Sequence, residues 1–170
     1  MNNKNYNITE LLDQLEQQVR QWMQTTGIDD PLVVGIHTSG VWIAEELHKR
    51  LQLEGEPGEL SVTFYRDDFD RVGLHPQSKP SFLPDVDDHH ILLVDDVIYT
   101  GRTMRGAMNE LFDFGRPASI TAAVLVSRGG RELPIEAQIA VLHEEPGKDY
   151  TYEVSGPEPL ALHLVRKKSA

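Results

Sequence analysis

The sequence predicts an α/β fold with a mostly parallel central sheet flanked by helices. Two observations carry that expectation. Between Leu32 and Val126, short β-branched apolar runs alternate with amphipathic stretches of helical period. This is the pattern of strands buried on both faces and joined by helical crossovers. The most hydrophobic run, Ile91 to Val94, halts at Asp95-Asp96 and hands over through a Thr-Gly turn to another amphipathic stretch. At 170 residues the whole chain, 1–170, suits one domain.

The elements follow in order. Ile8, Leu11, Leu12, Leu15 and Val19 recur at helical spacing, with Gly27 as a stop. Leu32 to Ile36 is short and β-branched, and reads as a buried strand. After Thr38-Ser39-Gly40, a second helix carries Ala44, Leu47 and Leu51 on one face, with Glu45–Lys49 and Glu46–Arg50 as i,i+4 pairs on the other. Leu60 to Tyr65 alternates and reads as a strand. Arg66 to His90 holds Gly73 and prolines 76, 80 and 84 without periodicity, so it reads as a long loop of functional type. Ile91 to Val94 is the next strand. Met104, Ala107, Met108, Leu111 and Phe112 then define a helix closed by Gly115. Ile120 to Val126 is a further strand, and strand-like runs recur at Ile139–His143 and Leu160–Val165.

Composition narrows the function classes. The chain is 39% hydrophobic and 25% charged, as soluble globular proteins are. It has no cysteine, so disulfides, thiol nucleophiles and cysteine metal sites are excluded. No apolar run reaches the roughly 18 residues of a membrane span, and the N-terminus lacks the pattern of a signal peptide; a cytoplasmic protein is expected. The formal net charge of -11 disfavours general nucleic-acid binding, although ten of the sixteen positive charges are Arg and several lie near the Asp95–Thr103 stretch. His75, His89 and His90 show no metal-ligand spacing.

Two like charges at the end of a buried strand need a reason. In open parallel sheets, ligands bind outside the carboxyl ends of the strands. Side chains alternate along a strand, so at least one of Asp95 and Asp96 is expected to face that crevice. Their mutual repulsion calls for a polar or cationic partner; vicinal ribose hydroxyls can donate to a carboxylate, and a divalent metal carried by the ligand would also serve. The residues that follow, Tyr99-Thr100-Gly101-Arg102-Thr103, lead into a helix N-terminus, where free N–H groups and the helix dipole favour an anion. Gly101 permits close backbone approach, and Thr100 and Thr103 add hydroxyls. Carboxylates beside a phosphate cradle match a ribose 5-phosphate. Neither GxxxxGK[ST] nor GxGxxG is present as an alternative phosphate loop.

VDDVIYTGRT resembles the phosphoribosyl diphosphate (PRPP) motif of type I phosphoribosyltransferases. More narrowly, the chain is similar to the PyrR family of pyrimidine-operon regulators that are also uracil phosphoribosyltransferases. The resemblance rests on VGIHTSG (Val34–Gly40), FYRDDF (Phe64–Phe69), LLVDDVIYTGRTMR (Leu92–Arg105), FGRPASI (Phe114–Ile120) and RGGRELPI (Arg128–Ile135), in family order. It implies a type I phosphoribosyltransferase fold with a small hood and a flexible loop, converting uracil and PRPP to UMP and diphosphate.

The resemblance also implies roles for individual residues. Asp95 and Asp96 would bind the ribose hydroxyls; Thr100, Gly101, Arg102 and Thr103 would bind the 5-phosphate. Thr38, Ser39 and Gly40 would contact the diphosphate, in a loop that lacks two basic residues PyrR proteins often carry there. Arg66 would sit near the diphosphate in a loop that closes over the site, completing a catalytic set with Asp95 and Asp96. Closure excludes water from a transition state of ribosyl-cation character. Tyr99 replaces the Asp common in purine enzymes at this motif position and tilts the expectation toward a pyrimidine. The base pocket is expected around Ser127 to Arg131, with Ser127, Arg128 and Gly129 as its candidate residues. Mg²⁺ would be bound mainly through PRPP, with no protein residue as a dedicated metal ligand. Relatives form dimers and higher assemblies, so a homodimer or higher homo-oligomer is expected, with no membrane partner.

The resemblance implies two activities, enzyme and UMP-sensing RNA-binding regulator. The segment after RGGRELPI carries Glu136, Glu144, Glu145, Asp149 and Glu153 against Lys148 alone, which opposes an RNA-binding face there.

Overall fold

The structure is a computed structural model and describes residues 3–62 and 79–168. Its centre is a five-stranded parallel sheet. The strands are β2 (Leu32–Ile36), β3 (Gly58–Leu60), β4 (His90–Ile98), β5 (Ser119–Arg128) and β6 (Ile139–Glu144), in the order β3-β2-β4-β5-β6. A second, three-stranded antiparallel sheet is built from β1 (Lys4–Tyr6), β7 (Tyr150–Ser155) and β8 (Ala161–Arg166), in the order β1-β8-β7. It forms the small hood.

The two faces of the central sheet are covered by different helices, as the alternation of buried side chains requires. Val33, Leu92, Val94, Ala123 and Leu125 pack with α1 (Ile8–Thr26) and α2 (Ser39–Leu51) through Leu12, Leu15, Ile43 and Leu47, and the hood adds Tyr152, Leu162 and Leu164 to the same cluster. Val34, Ile36, Leu93, Ala122 and Val124 pack on the other face against Met104, Ala107 and Leu111 of α3 (Arg102–Phe114). Leu92, Leu93 and Leu111 are fully buried; each such side chain contributes about 1.5–3 kcal/mol. Among the described residues, no helix is long and apolar enough to cross a membrane.

Local sequence explains the element ends. Asn7 opens α1, its side-chain oxygen accepting from the Glu10 N–H, and Gly27 closes it with its own N–H on Met23 O. Gly115 ends α3 as expected, but not through a left-handed cap: its backbone is extended. A Cβ there would meet Asp87 Oδ1 at 2.5 Å and Val86 Cγ2 at 2.8 Å, so close packing is what demands glycine.

Several expectations need correction. The strand expected to stop at Val94 runs on to Ile98, because β5 continues to pair with it after β2 has ended. β5 itself extends through Ser127 and Arg128. The strand expected at Leu60–Tyr65 is instead the short β3, Gly58–Leu60; Ser61 and Val62 follow without strand pairing, and Thr63, Phe64 and Tyr65 lie outside the described residues. The loop expected at Arg66–His90 falls partly outside them too, and Arg66 with it. In the described part, Glu59 and Phe82 exchange backbone hydrogen bonds. β1 and β7 were not expected, and β8 lies one residue beyond the expected run.

Candidate active site

The strand order places a switch point between β2 and β4. From β2 the chain moves outward to β3, then returns to β4 and continues the other way through β5 and β6. The carboxyl ends of such a pair diverge and leave a crevice. Pairing of β4 with β2 ends at Val94, whereas pairing with β5 continues to Ile98↔Ser127. Asp95 and Asp96 therefore sit just where β4 loses one neighbour and keeps the other.

The carboxylates are partly satisfied by their own backbone. Asp95 Oδ1 accepts from the Asp96 N–H at 2.9 Å, and Asp96 Oδ1 accepts from the Val97 N–H at 2.8 Å. Each carboxylate thus has one oxygen satisfied by the N–H that follows it in the chain. Asp95 is 7% exposed and Asp96 half-buried. The start of α2 presses on Asp95: a Cβ at Gly40 would lie 2.7 Å from Val94 O and 3.1 Å from Asp95 Oδ1. Gly40 is thus brought against the first carboxylate, with Thr38 and Ser39 just before it in the chain. The His37–Thr38 peptide bond is cis, and His37 Nε2 lies 2.8 Å from Glu59 Oε2 on β3.

The Tyr99–Thr103 turn follows at once. Gly101 is the residue before α3, with φ +92, a conformation that glycine adopts without penalty. Gly101 has no side chain with which to cap the helix. Thr100 is buried, and its hydroxyl accepts from the Arg102 N–H at 3.2 Å. Thr103 is half-buried in the first turn. The Arg102 side chain is exposed and pairs with Glu132 at 2.8 Å; a pair so open to solvent is worth at most about 1 kcal/mol and yields readily to another anion.

The stretch expected to hold the base lies at the end of β5, beside this turn. Ser127 is opposite Ile98 in the sheet, and its hydroxyl accepts from Arg131 Nη2 at 2.8 Å. Arg128 is buried and its guanidinium donates to Gly147 O and Tyr150 O while stacking on the Tyr99 ring. That side chain therefore ties the site to the hood. Gly129 is exposed, with Glu145 alongside.

Sequence reasoning missed two groups. The segment Arg131–Glu136 grips the Tyr99–Thr103 turn from outside; the expected base stretch ends at Arg131 and implies no such grip. Glu144, at the end of β6, accepts from Tyr6, from Tyr152 at 2.6 Å and from Lys4 at 3.0 Å, joining β1 and β7 to the central sheet. Burial opposes ionisation of Glu144, and the Tyr152, Tyr6 and Lys4 donors outweigh it, so its carboxyl lies below the ordinary value. Burial first, then the Glu144 carboxylate, push both tyrosines upward.

Comparisons with known proteins agree with this geometry. The phosphoribosyl transferase domain model matches residues 4–160. The chain belongs to that family. Its relatives include the bifunctional protein PyrR of Nitrosococcus oceani, 50% identical over 161 residues and covering 93% of this chain and 91% of the relative. The bifunctional protein PyrR of Pseudomonas paraeruginosa is 49% identical over 157 residues, covering 92% of each. Among solved structures, a hypoxanthine-guanine phosphoribosyltransferase from Bacillus anthracis superposes with a TM-score of 0.66 at 13% identity, covering 83% of both chains. The hypoxanthine phosphoribosyltransferase of Trypanosoma cruzi gives 0.62 at 18% identity, covering 83% of this chain and 78% of that one. At such identities these two speak for the fold.

Proposed function

We propose that this chain transfers the 5-phosphoribosyl group of PRPP to uracil, giving UMP and diphosphate. The observation that carries the reading is the sequence of groups along one chain turn: Asp95 and Asp96 at the crevice, then the uncapped start of α3 at Gly101, with the start of α2 against Asp95. Asp95 and Asp96 accept from the ribose hydroxyls. Thr100 to Thr103 hold the 5-phosphate through N–H groups, hydroxyls and the Arg102 charge. Thr38, Ser39 and Gly40 face the diphosphate, and Ser127 to Gly129 border the base. Arg66, outside the described residues, supplies the remaining positive charge in this reading.

The donor set suits a metal that arrives with its substrate. Two carboxylates stand together, and among the described residues no group of three or more His, Cys, Asp or Glu is arranged to hold a metal by itself. Mg²⁺ prefers such sites, keeping waters and phosphate oxygens as its other ligands. When bound, it supplies charge neutralisation to the diphosphate. The protein's own part is to orient the ribose, hold the leaving group and shield the reacting carbon from water.

Steady-state assays with uracil, orotate, hypoxanthine and guanine test the reading: turnover with uracil supports it, and turnover confined to a purine overturns it. A second reading, regulation of pyrimidine genes through RNA, is favoured by the shared name of the relatives, a bifunctional protein. Filter binding with a pyrimidine-operon leader RNA at two salt concentrations tests it; UMP-enhanced, salt-sensitive binding is the expected signature. We further propose that the chain acts in the cytoplasm as one phosphoribosyltransferase unit per subunit of a homo-oligomer.

A further inference from the structure

The segment that follows β5 wraps the turn leading into α3 and takes three successive carbonyls from it. Arg131 Nη1 donates to Tyr99 O at 2.6 Å and to Ile98 O at 3.4 Å. The Glu132 and Leu133 N–H groups both donate to Thr100 O, at 2.9 and 3.1 Å. In a trans peptide the C=O and the following N–H point in opposite directions. Fixing the carbonyls of residues 98, 99 and 100 toward this segment therefore aims the N–H groups of residues 99, 100 and 101 away from it.

Arg131 is itself held from several sides. Nη1 also donates to Arg128 O at 2.8 Å, Nη2 to Ser127 Oγ and Glu136 Oε2 at 2.8 Å each, and Nε to Ile135 O at 3.0 Å. Every nitrogen of the guanidinium already faces a protein oxygen, and the side chain is 17% exposed. Its fork geometry, not its charge alone, matches this set of acceptors. A lysine has no planar fork to reproduce it.

We propose that Arg131 is a positioning residue for the phosphate cradle: it clamps the turn at Ile98 and Tyr99 to the end of β5 and so sets the direction of the cradle's N–H donors. The role rests on the phosphoribosyl reading of Thr100 to Thr103. It also links the phosphate side of the site to the stretch Ser127–Gly129, because one guanidinium holds Tyr99 O, Arg128 O and Ser127 Oγ together.

The test compares UMP with uridine, which lacks the phosphate, on the full chain. Arg131→Lys is expected to weaken UMP binding about tenfold more than uridine binding, as the loss of a few buried hydrogen bonds at the phosphate turn predicts. KM for PRPP is expected to rise by clearly more than KM for uracil. Glu136→Gln loosens the guanidinium from its exposed end without emptying the site, and is expected to shift the UMP-to-uridine ratio in the same direction by less. An equal loss for UMP and uridine, or an unchanged ratio, overturns the role of Arg131; should Arg131→Lys fail to fold, the ratio in Glu136→Gln decides. A wild-type chain that does not prefer UMP over uridine overturns the cradle reading itself, and this role with it.

Discussion

The Arg128 guanidinium lies over the Tyr99 ring, 4.1 Å from its centroid. Gly130 packs against the same ring so closely that a Cβ would sit 2.5 Å from Cε2, and its φ of +111 is one that L side chains rarely adopt. Tyr99 follows β4 while Arg128 ends β5 and reaches the hood through Gly147 O and Tyr150 O. One ring thus locks the motif turn to the hood.

Gly130→Ala is expected to destabilise the chain by about 1–3 kcal/mol, because strain at a left-handed position adds to the clash with Tyr99. Tyr99→Leu keeps an apolar group but loses the cation–π contact, and is expected to cost about 0.5–2 kcal/mol. Urea unfolding monitored by circular dichroism measures both, and an unchanged stability in either variant would contradict the geometry.

Gly40→Ala probes the contact between α2 and Asp95. The added methyl would stand 2.7 Å from a backbone oxygen, Val94 O, which cannot swing aside as a side chain would. Overpacking of this kind costs about 1–3 kcal/mol. The start of α2 is expected to shift from Asp95, raising KM for PRPP while uracil KM stays the same. Initial-rate kinetics at varied PRPP check it, together with a melting curve.

How far the sequence disclosed this arrangement depends on which force fixes each part. The parallel strands and three helices were legible because burial on both sheet faces leaves long apolar runs and helical periods. The extension of β4 to Ile98 was not: the apolar run stops at Val94, and only backbone pairing with β5 carries the strand past two carboxylates. β1 has three residues and β7 is a mixed polar strand, Tyr150–Ser155, so neither offers a strong period. Asp95, Asp96 and the Thr100–Thr103 turn stood out because like charges beside a buried run demand a partner. Arg131 did not, since its importance lies in which carbonyls it meets, and no pattern in the sequence announces those.

Thr100→Val with Gly101→Ala tests the cradle directly. The first removes the hydroxyl that accepts the Arg102 N–H, and the second puts a Cβ on a residue at φ +92. A Cβ at Gly101 would meet nothing closer than 3.4 Å, so the strain is conformational and local. UMP binding is expected to disappear while the far-ultraviolet circular dichroism stays that of the wild type. Isothermal titration with UMP measures it, and an unchanged affinity would place the phosphate elsewhere.

The joint around Glu144 makes the hood sensitive to pH at both ends of the scale. The Glu144 carboxyl is held below its ordinary value of 4.5, the donors from Tyr152, Tyr6 and Lys4 outweighing burial. A group with a lowered folded value contributes stability that is present above the unfolded value and is lost as pH falls through the folded one. The acid limb therefore lies below about 4.5. Tyr6 and Tyr152 are raised from 10.0, by burial and then by the Glu144 carboxylate. For them the sign reverses: the contribution is whole below the unfolded value and is lost as pH climbs toward the folded one. Between these limbs the melting temperature is expected to be flat so far as this joint decides it. Glu144→Gln removes the titrating carboxyl of the acid limb and the acceptor that adds to burial in raising the tyrosines, so melting temperatures recorded from pH 3 to pH 11 should show the acid limb lost and the alkaline limb weakened relative to wild type. A variant whose pH profile runs parallel to the wild type across that range would mean the joint does not couple the hood to the central sheet.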